Sequence, residues 1–343
     1  MSTEGPLPSW LRPASHAAAM AYGVGVRVRG AMLARTPAVH APVPVVSVGN
    51  LTAGGTGKTP MVRWVVGQAL AAGRHPVIAL RGYRSRDGRS DEAEEYRALL
   101  PGVPIALGPD RRATIAAACA ADARIDCAVL DDAFQHRRLA RALDIVLVDA
   151  TRPALGGALL PAGWLREPSE ALRRADLVVV TRAARAEDPA LTALVARFHG
   201  APPAAWTQHA WTHLEERGAR SSRLPVDALR GRRVLACAGI GHPEAFVADA
   251  QSHGAELVGA RLFPDHAPFD AARVDALAAQ AKELDAALLV TGKDWTKIEP
   301  ALAAAGPDAR AATWLVAGLS IRFLAGEAEV AARVRAALDR PRR

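Results

Sequence analysis

The sequence predicts an α/β protein: a parallel sheet with helices on both faces, a smaller C-terminal α/β domain, and a helix ahead of both. Three observations predict it. Short apolar, β-branched runs recur without polar alternation, the pattern of strands buried on both faces. Helical segments separate these runs, as crossover connections in a parallel sheet require. A polar, arginine-rich stretch broken by Gly218 and Pro225 interrupts the alternation and divides the chain.

Residues 14–35 read as one helix between Pro13 and Pro37. Met20, Val24, Val28 and Met32 form a partial stripe at helical spacing, with Arg27 and Arg35 beside it. Such a helix either packs on the protein's own core or lies in an anionic lipid interface, where long arginine stems can snorkel. Strands are expected over 44–49, 77–80, 127–130, 145–148 and 177–180, with helices over 61–71 and 113–121. Beyond the polar stretch, strands are expected over 234–238 and 287–290, with a helix over 271–284. The expected organisation is an N-terminal helix in 1–40, a core domain in 41–205, a linker over 206–233 and a smaller domain in 234–343.

Composition excludes several classes. Half of the 343 residues are hydrophobic and no low-complexity tract occurs, so the chain folds. No apolar run reaches the ~18 residues of a spanning helix. Glu4 precedes the apolar run 17–26 and Arg27, Arg29 and Arg35 follow it, the wrong order for a secretory signal. Cys119, Cys127 and Cys237 have no metal-ligand or disulfide spacing and read as buried thiols in a reducing cytoplasm. The net charge of +8 comes from dispersed arginines, with only four lysines in the chain. It favours anionic partners but forms no aromatic-interleaved stripe for nucleic acid.

The segment Thr52-Ala-Gly-Gly-Thr-Gly-Lys-Thr59 lies between a strand and a helix. Its backbone N–H groups can cradle phosphate oxygens, with the positive end of the helix behind them. Ala53, Gly54, Gly55, Thr56 and Gly57 supply the loop, Lys58 reaches the β- and γ-phosphates of ATP, and the Thr59 hydroxyl binds Mg²⁺. Thr52 stands where the strict pattern has glycine. A P-loop NTPase-like site also needs a carboxylate at the end of a neighbouring strand, and Ala128-Val-Leu-Asp-Asp132 supplies two. Asp131 and Asp132 are therefore expected at the metal and its water shell, either one making the direct contact.

Longer motifs carry a resemblance. Val46-Ser-Val-Gly-Asn-Leu-Thr-Ala-Gly-Gly-Thr-Gly-Lys-Thr-Pro60, Arg81-Gly-Tyr83, Asp91-Glu92, Gly108-Pro-Asp-Arg111, Leu130-Asp-Asp-Ala-Phe-Gln-His-Arg-Arg138 and Leu160-Pro-Ala-Gly-Trp-Leu-Arg-Glu-Pro168 occur in order. Ala238-Gly-Ile-Gly241, Phe263-Pro-Asp-His266 and Thr291-Gly-Lys-Asp294 follow. Together they resemble the tetraacyldisaccharide 4'-kinases, the lipid A kinases of Gram-negative bacteria. Departures are Ala133, Trp164, His242, Ala267 and Gly292, and none falls on Lys58, the paired aspartates or Asp91.

The resemblance implies phosphorylation of the sugar 4'-hydroxyl of a lipid disaccharide 1-phosphate carrying four acyl chains, with ATP as donor and Mg²⁺ as cofactor. It implies a peripheral or monotopic enzyme on the cytoplasmic face of the inner membrane, docked to an anionic membrane surface by the N-terminal helix, with no nucleic-acid or obligatory protein partner evident. It gives Asp91 the role of proton acceptor, aided by His266, and adds Glu92 to the metal set. Read alone, Asp91 is a helix cap before residues 92–100 and His266 a surface histidine. Tyr83 either stacks on a sugar ring or a catalytic imidazole, or is a core tyrosine. Arg166 either contacts an anionic substrate group or pairs with Glu167. The rival reading is a P-loop ATPase or switch that hydrolyses ATP without a lipid acceptor.

Overall fold

The computed structural model describes residues 6, 12–82, 90–218, 221–241, 243–264 and 267–341. The chain forms two compact units, Met1–His209 with Ile321–Arg343, and Ala210–Ser320.

The first unit runs α1 (Arg12–Arg35), β1 (Val45–Asn50), α2 (Lys58–Ala71), β2 (Pro76–Leu80), α3 (Asp91–Leu99), β3 (Ile105–Leu107), α4 (Arg111–Ala121), β4 (Cys127–Asp131), β5 (Leu143–Asp149), β6 (Leu177–Thr181), α5 (Pro189–His199) and the start of β7 (Ala205–Arg217). Its strands lie in the order β3-β2-β4-β1-β5-β6-β7 and pair in parallel. Every residue of β1, β2, β4, β5 and β6 is buried, the reason these runs show no polar alternation. Strands formed before β5 lie on one side of β1 and later ones on the other. The carboxyl ends of β1, β4 and β5 therefore flank the point where winding reverses, the usual ligand position in such sheets.

The second unit holds the end of β7, β8 (Ser222–Leu224), β9 (Arg233–Ala238), α6 (Pro243–Ser252), β10 (Glu256–Leu262), α7 (Ala271–Glu283), β11 (Ala287–Thr291), α8 (Gly292–Leu302), α9 (Pro307–Ala311) and the start of β12 (Trp314–Ala325). The strands β10-β9-β11-β12 are parallel. Its core gathers Trp314, Leu288, Val290, Ile298 and Val274, with the Trp314 indole donating to the Ala309 carbonyl at 3.0 Å.

Two expectations about organisation give way. Residues 206–233 are not a linker: β7 and β8 occupy much of the segment, paired antiparallel with Leu214 opposite Leu224. Trp206, Trp211 and Leu214 are buried along it, and its charges are satisfied in pairs such as Glu216 with Arg232 at 2.8 Å. The polar composition is that of a paired ribbon. The C-terminal segment also does not stay with the smaller unit. After β12 the chain returns to the first unit and ends in α10 (Glu327–Leu338). Val330, Val334, Ala337 and Leu338 enter the core beside Met61, Val62 and Val65 of α2, because that apolar face of α2 needs a cover. Of the three cysteines, Cys127 and Cys237 are buried as expected, whereas Cys119 is only half-buried.

The helix α1 packs through small residues. Ser15, Ala19 and Gly23 are buried four apart, and a Cβ on Gly23 would come within 2.9 Å of the Leu159 side chain. The adjoining stripe does not enter the core: Met20, Val24, Val28 and Met32 are 71, 57, 56 and 66% exposed. Among the described residues no helix is long and apolar enough to cross a membrane.

Replacing Val334 by alanine should remove about 2 kcal/mol of stability, from lost burial and the cavity left against α2. Urea unfolding of both proteins checks this, and an unchanged midpoint would show that α10 does not close the first core.

Candidate active site

The strand β1 delivers Asn50 to its carboxyl end, the chain turns through Leu51–Gly57, and α2 begins at Lys58. Two glycines are required by geometry. Gly54 and Gly57 have φ of 97° and 83°, left-handed values that side chains disfavour. At Gly57 there is also no room, since a Cβ would sit 2.6 Å from His209 Nε2. Thr52 needs no glycine because its φ is not positive. It is instead extended and bridges Leu165 in antiparallel register. Asn50, fully buried, steadies it by donating Nδ2 to the Thr52 carbonyl at 3.0 Å.

The segment Leu160–Pro168 clamps the near end of this loop. The Ala53 N–H donates to the Trp164 carbonyl at 2.8 Å, and the Arg166 N–H donates to the Leu51 carbonyl at 2.7 Å. The Ala53 amide is thus already occupied, leaving Gly54 to Thr59 as the part of the predicted loop whose amides are not taken by this clamp. The far side of the loop is held by β6. The Thr181 hydroxyl donates to the Thr56 carbonyl at 2.9 Å, and Arg182 Nη1 donates to the Gly55 carbonyl at 2.8 Å.

Because β1 and β4 are neighbours with Val48 opposite Asp131, the aspartate pair arrives beside the loop. Lys58 Nζ stands 3.5 Å from Asp132 Oδ1, and Arg166 Nη1 reaches both oxygens of Asp132 at 3.0 and 2.9 Å. Arg166 therefore pairs with Asp132 and not with Glu167, whose partner is Arg174 at 2.8 Å. Burial opposes ionisation of Asp132, but the Lys58 and Arg166 charges outweigh it and hold its pKa below the ordinary carboxylate value. Asp131 behaves oppositely. Burial, only partly offset by Lys58 and reinforced by Asp132 and Glu92, lifts its pKa to about 6. Its Oδ2 accepts from the buried Tyr96 hydroxyl at 2.9 Å, while Oδ1 has no hydrogen-bond partner.

Glu92 lies in the first turn of α3, exposed, and near enough to act on Asp131. Asp91 opens α3 but is not its cap, which is Ser90. The Asp91 side chain, Tyr83 and His266 lie outside the described residues, as does His242. The structure thus brings Lys58, Thr59, Asp131, Asp132, Glu92 and Arg166 to one edge of the first unit's sheet.

The sequence matches the family model described as tetraacyldisaccharide-1-P 4'-kinase over residues 8–339. The chain belongs to this kinase family. A tetraacyldisaccharide 4'-kinase of Anaeromyxobacter dehalogenans (strain 2CP-C) is 42% identical over 309 residues, covering 84% of this chain and 81% of that one. The one of Geobacter metallireducens is 40% identical over 309 residues, covering 84% of this chain and 86% of that one. The crystal structure of LpxK from Aquifex aeolicus, in complex with ATP, shares the fold with a TM-score of 0.70 at 24% identity, covering 96% of this chain and 99% of that one. Family membership makes the chain a kinase. One departure from the family pattern is harmless for a local reason: Ala133 is buried without a positive φ, so no glycine is needed there.

Sequence reasoning missed Asn50, Tyr96, Thr181, Arg182 with its ion-pair partner Asp149, and His209. Asn50 and Thr181 had a signal, a polar residue ending an apolar strand. Tyr96 lies one helical turn after Glu92 on α3, a spacing that could have signalled it, whereas His209 reaches the loop from a distant segment and had none.

Gly57→Ala should cost about 2 kcal/mol, part from the left-handed backbone and part from the His209 contact. Adding His209→Ala should return the second part only. A double-mutant cycle in urea measures both, and additive costs would mean that the ring does not abut the loop.

Proposed function

We propose that this chain transfers the γ-phosphoryl group of ATP to the 4'-hydroxyl of a tetraacyldisaccharide 1-phosphate, releasing ADP and the bis-phosphorylated lipid. The observation that carries the reading is Lys58, at the start of α2, standing beside the aspartate pair that ends β4. The names of the relatives supply the acceptor, and the ATP in the Aquifex aeolicus crystal structure supports the donor.

The residues fit a magnesium ion. Mg²⁺ in nucleotide sites takes one or two carboxylates and completes its shell with phosphates and water. Asp131 offers a buried, unpartnered oxygen, and the Thr59 hydroxyl lies in the first turn of α2. Asp132 and Glu92 complete the acidic edge. Held there by Asp131 and the Thr59 hydroxyl, the ion would supply positive charge against that of the phosphates.

The chain's own residues do the rest. Lys58 turns from Asp132 to the β- and γ-phosphates, and Arg166 keeps Asp132 ionised as it leaves. Amides from Gly54 to Thr59 meet the phosphate oxygens. Charge on the transferred group is thereby met by groups already in place, the largest usual contribution to phosphoryl transfer. Asp91 accepts the proton of the 4'-hydroxyl, a role worth roughly 10²–10⁴-fold, with His266 in support. Both roles rest on the family pattern. From their side-chain chemistry, Tyr83 is assigned to a sugar ring or a catalytic imidazole, and Arg166 to an anionic group of either substrate.

The exposed stripe of α1 supports membrane attachment. Four large apolar side chains facing water, with Arg27 and Arg35 beside them, suit insertion among the headgroups of anionic lipid. We place the enzyme on the cytoplasmic face of the inner membrane, where ATP and an acylated acceptor meet.

The deciding assay follows label from γ-labelled ATP into lipid in detergent micelles. Lys58→Ala should lower transfer by about 10²–10³-fold. Asp91→Ala should lower kcat by about two orders of magnitude with ATP binding intact. Label released only as free phosphate, with no lipid product, would favour the hydrolase alternative. Separately, Val24→Asp with Val28→Asp should abolish sedimentation with anionic vesicles while micellar activity persists. Undiminished sedimentation would remove α1 from the membrane contact.

A further inference from the structure

A peptide unit points its C=O and N–H in opposite directions. Holding a loop carbonyl from behind therefore aims the next residue's N–H forward. In the Thr52–Thr59 loop two successive carbonyls are held in this way. Arg182 takes the Gly55 carbonyl, which aims the Thr56 N–H, and Thr181 takes the Thr56 carbonyl, which aims the Gly57 N–H.

The support behind these two donors is rigid. Thr181 is fully buried and pairs opposite Asp149 at the end of β5. Its own carbonyl accepts from Ala150 N–H at 2.9 Å, and the neighbouring Val180 carbonyl accepts from the Thr207 hydroxyl at 3.1 Å. Arg182 is held by an ion pair with the buried Asp149 carboxylate, which also accepts from the Thr151 N–H at 2.9 Å and its hydroxyl at 2.6 Å. Arg182 has φ of 53°, a left-handed backbone that costs a non-glycine residue free energy. Such a conformation persists where surrounding contacts impose it, and here it turns the guanidinium back toward the loop. His209 presses on Gly57 from the same side. Burial and the Arg182 charge lower its pKa to about 4, so the ring is neutral at physiological pH and adds no cation behind the loop.

We propose that Thr181 and the Asp149–Arg182 pair are positioning residues for the nucleotide: they brace the loop carbonyls so that consecutive amides stand ready for the phosphates. None is a catalytic residue. The inference rests on the proposed function, and its effect is confined to the ATP side of the reaction.

Thr181 gives the cleaner test, because Arg182 also lines a cavity of about 400 Å³ with Pro153, Ala183, Leu191, Leu194 and Trp206 and a variant there could act directly on a ligand. Thr181→Val keeps the β-branched shape and removes the donor. It should raise Kd and KM for magnesium–ATP about five- to tenfold, the scale of one lost hydrogen bond. kcat at saturating ATP should change less than about twofold and KM for the lipid not at all, since an ATP-side binding defect is overcome by saturation. Thr181→Ser, which keeps the hydroxyl, should restore wild-type ATP affinity. Asp149→Asn, which loosens Arg182 and leaves Thr181 in place, should weaken ATP binding in the same selective way and serves if the valine variant fails to fold. Wild-type ATP affinity in Thr181→Val, an equal rise in KM for the lipid, or no rescue by serine would overturn the proposal. Lys58→Ala in the same assay separates the two levels: if it is inactive while Thr181→Val binds ATP normally, only the brace is wrong; if it is fully active, the site reading itself fails.

Discussion

A backbone that offers amides to one side must leave its carbonyls on the other, and each buried carbonyl needs a donor. The glycine loop between β1 and α2 obeys this constraint at four of its carbonyls. Its first carbonyl, at Leu51, takes the Arg166 N–H; that of Thr52 takes Asn50; those of Gly55 and Thr56 take Arg182 and Thr181. The donors come from three separate elements of the sheet and its connections. The local geometry of a few residues thus depends on the registration of β1, β4, β5 and β6, and the fully buried strands are what fix that registration.

The same crowding sets the electrostatics. Two adjacent carboxylates at the end of β4 meet different surroundings. Asp132 turns outward, through a left-handed backbone, to two cations. Asp131 turns inward to a phenol and keeps one oxygen unpaired. One carboxylate is held charged by fixed partners, and the other is poised to gain from a cation that arrives. Neighbouring aspartates can hold different environments because the left-handed turn that ends the strand sends the second away from the first.

Much of this was legible in the sequence. The apolar runs without alternation gave the parallel sheet, and the loop and paired aspartates, read together in the sequence, do lie side by side at the ends of β1 and β4, because these signals are local and strict. The return of α10 was not legible. Its stripe of Val330, Val334 and Leu338 says that a face is buried but not against which partner, and α2 lies more than 250 residues earlier. The ribbon of β7 and β8 was hidden for a different reason: its ion pairs make a structured segment look like solvated linker. Thr181 and Arg182 read as an ordinary strand end, since only the fold reveals that the carbonyls of residues 55 and 56 lie within their reach.

The second unit interrupts the first, with the chain leaving within β7 and coming back within β12. This order has a cost during synthesis. The apolar side of α2 emerges from the ribosome early, yet its cover is made of residues 327–338, which emerge more than 250 residues later. Until then the nascent first unit carries an open core, and its final consolidation waits on the arrival of α10.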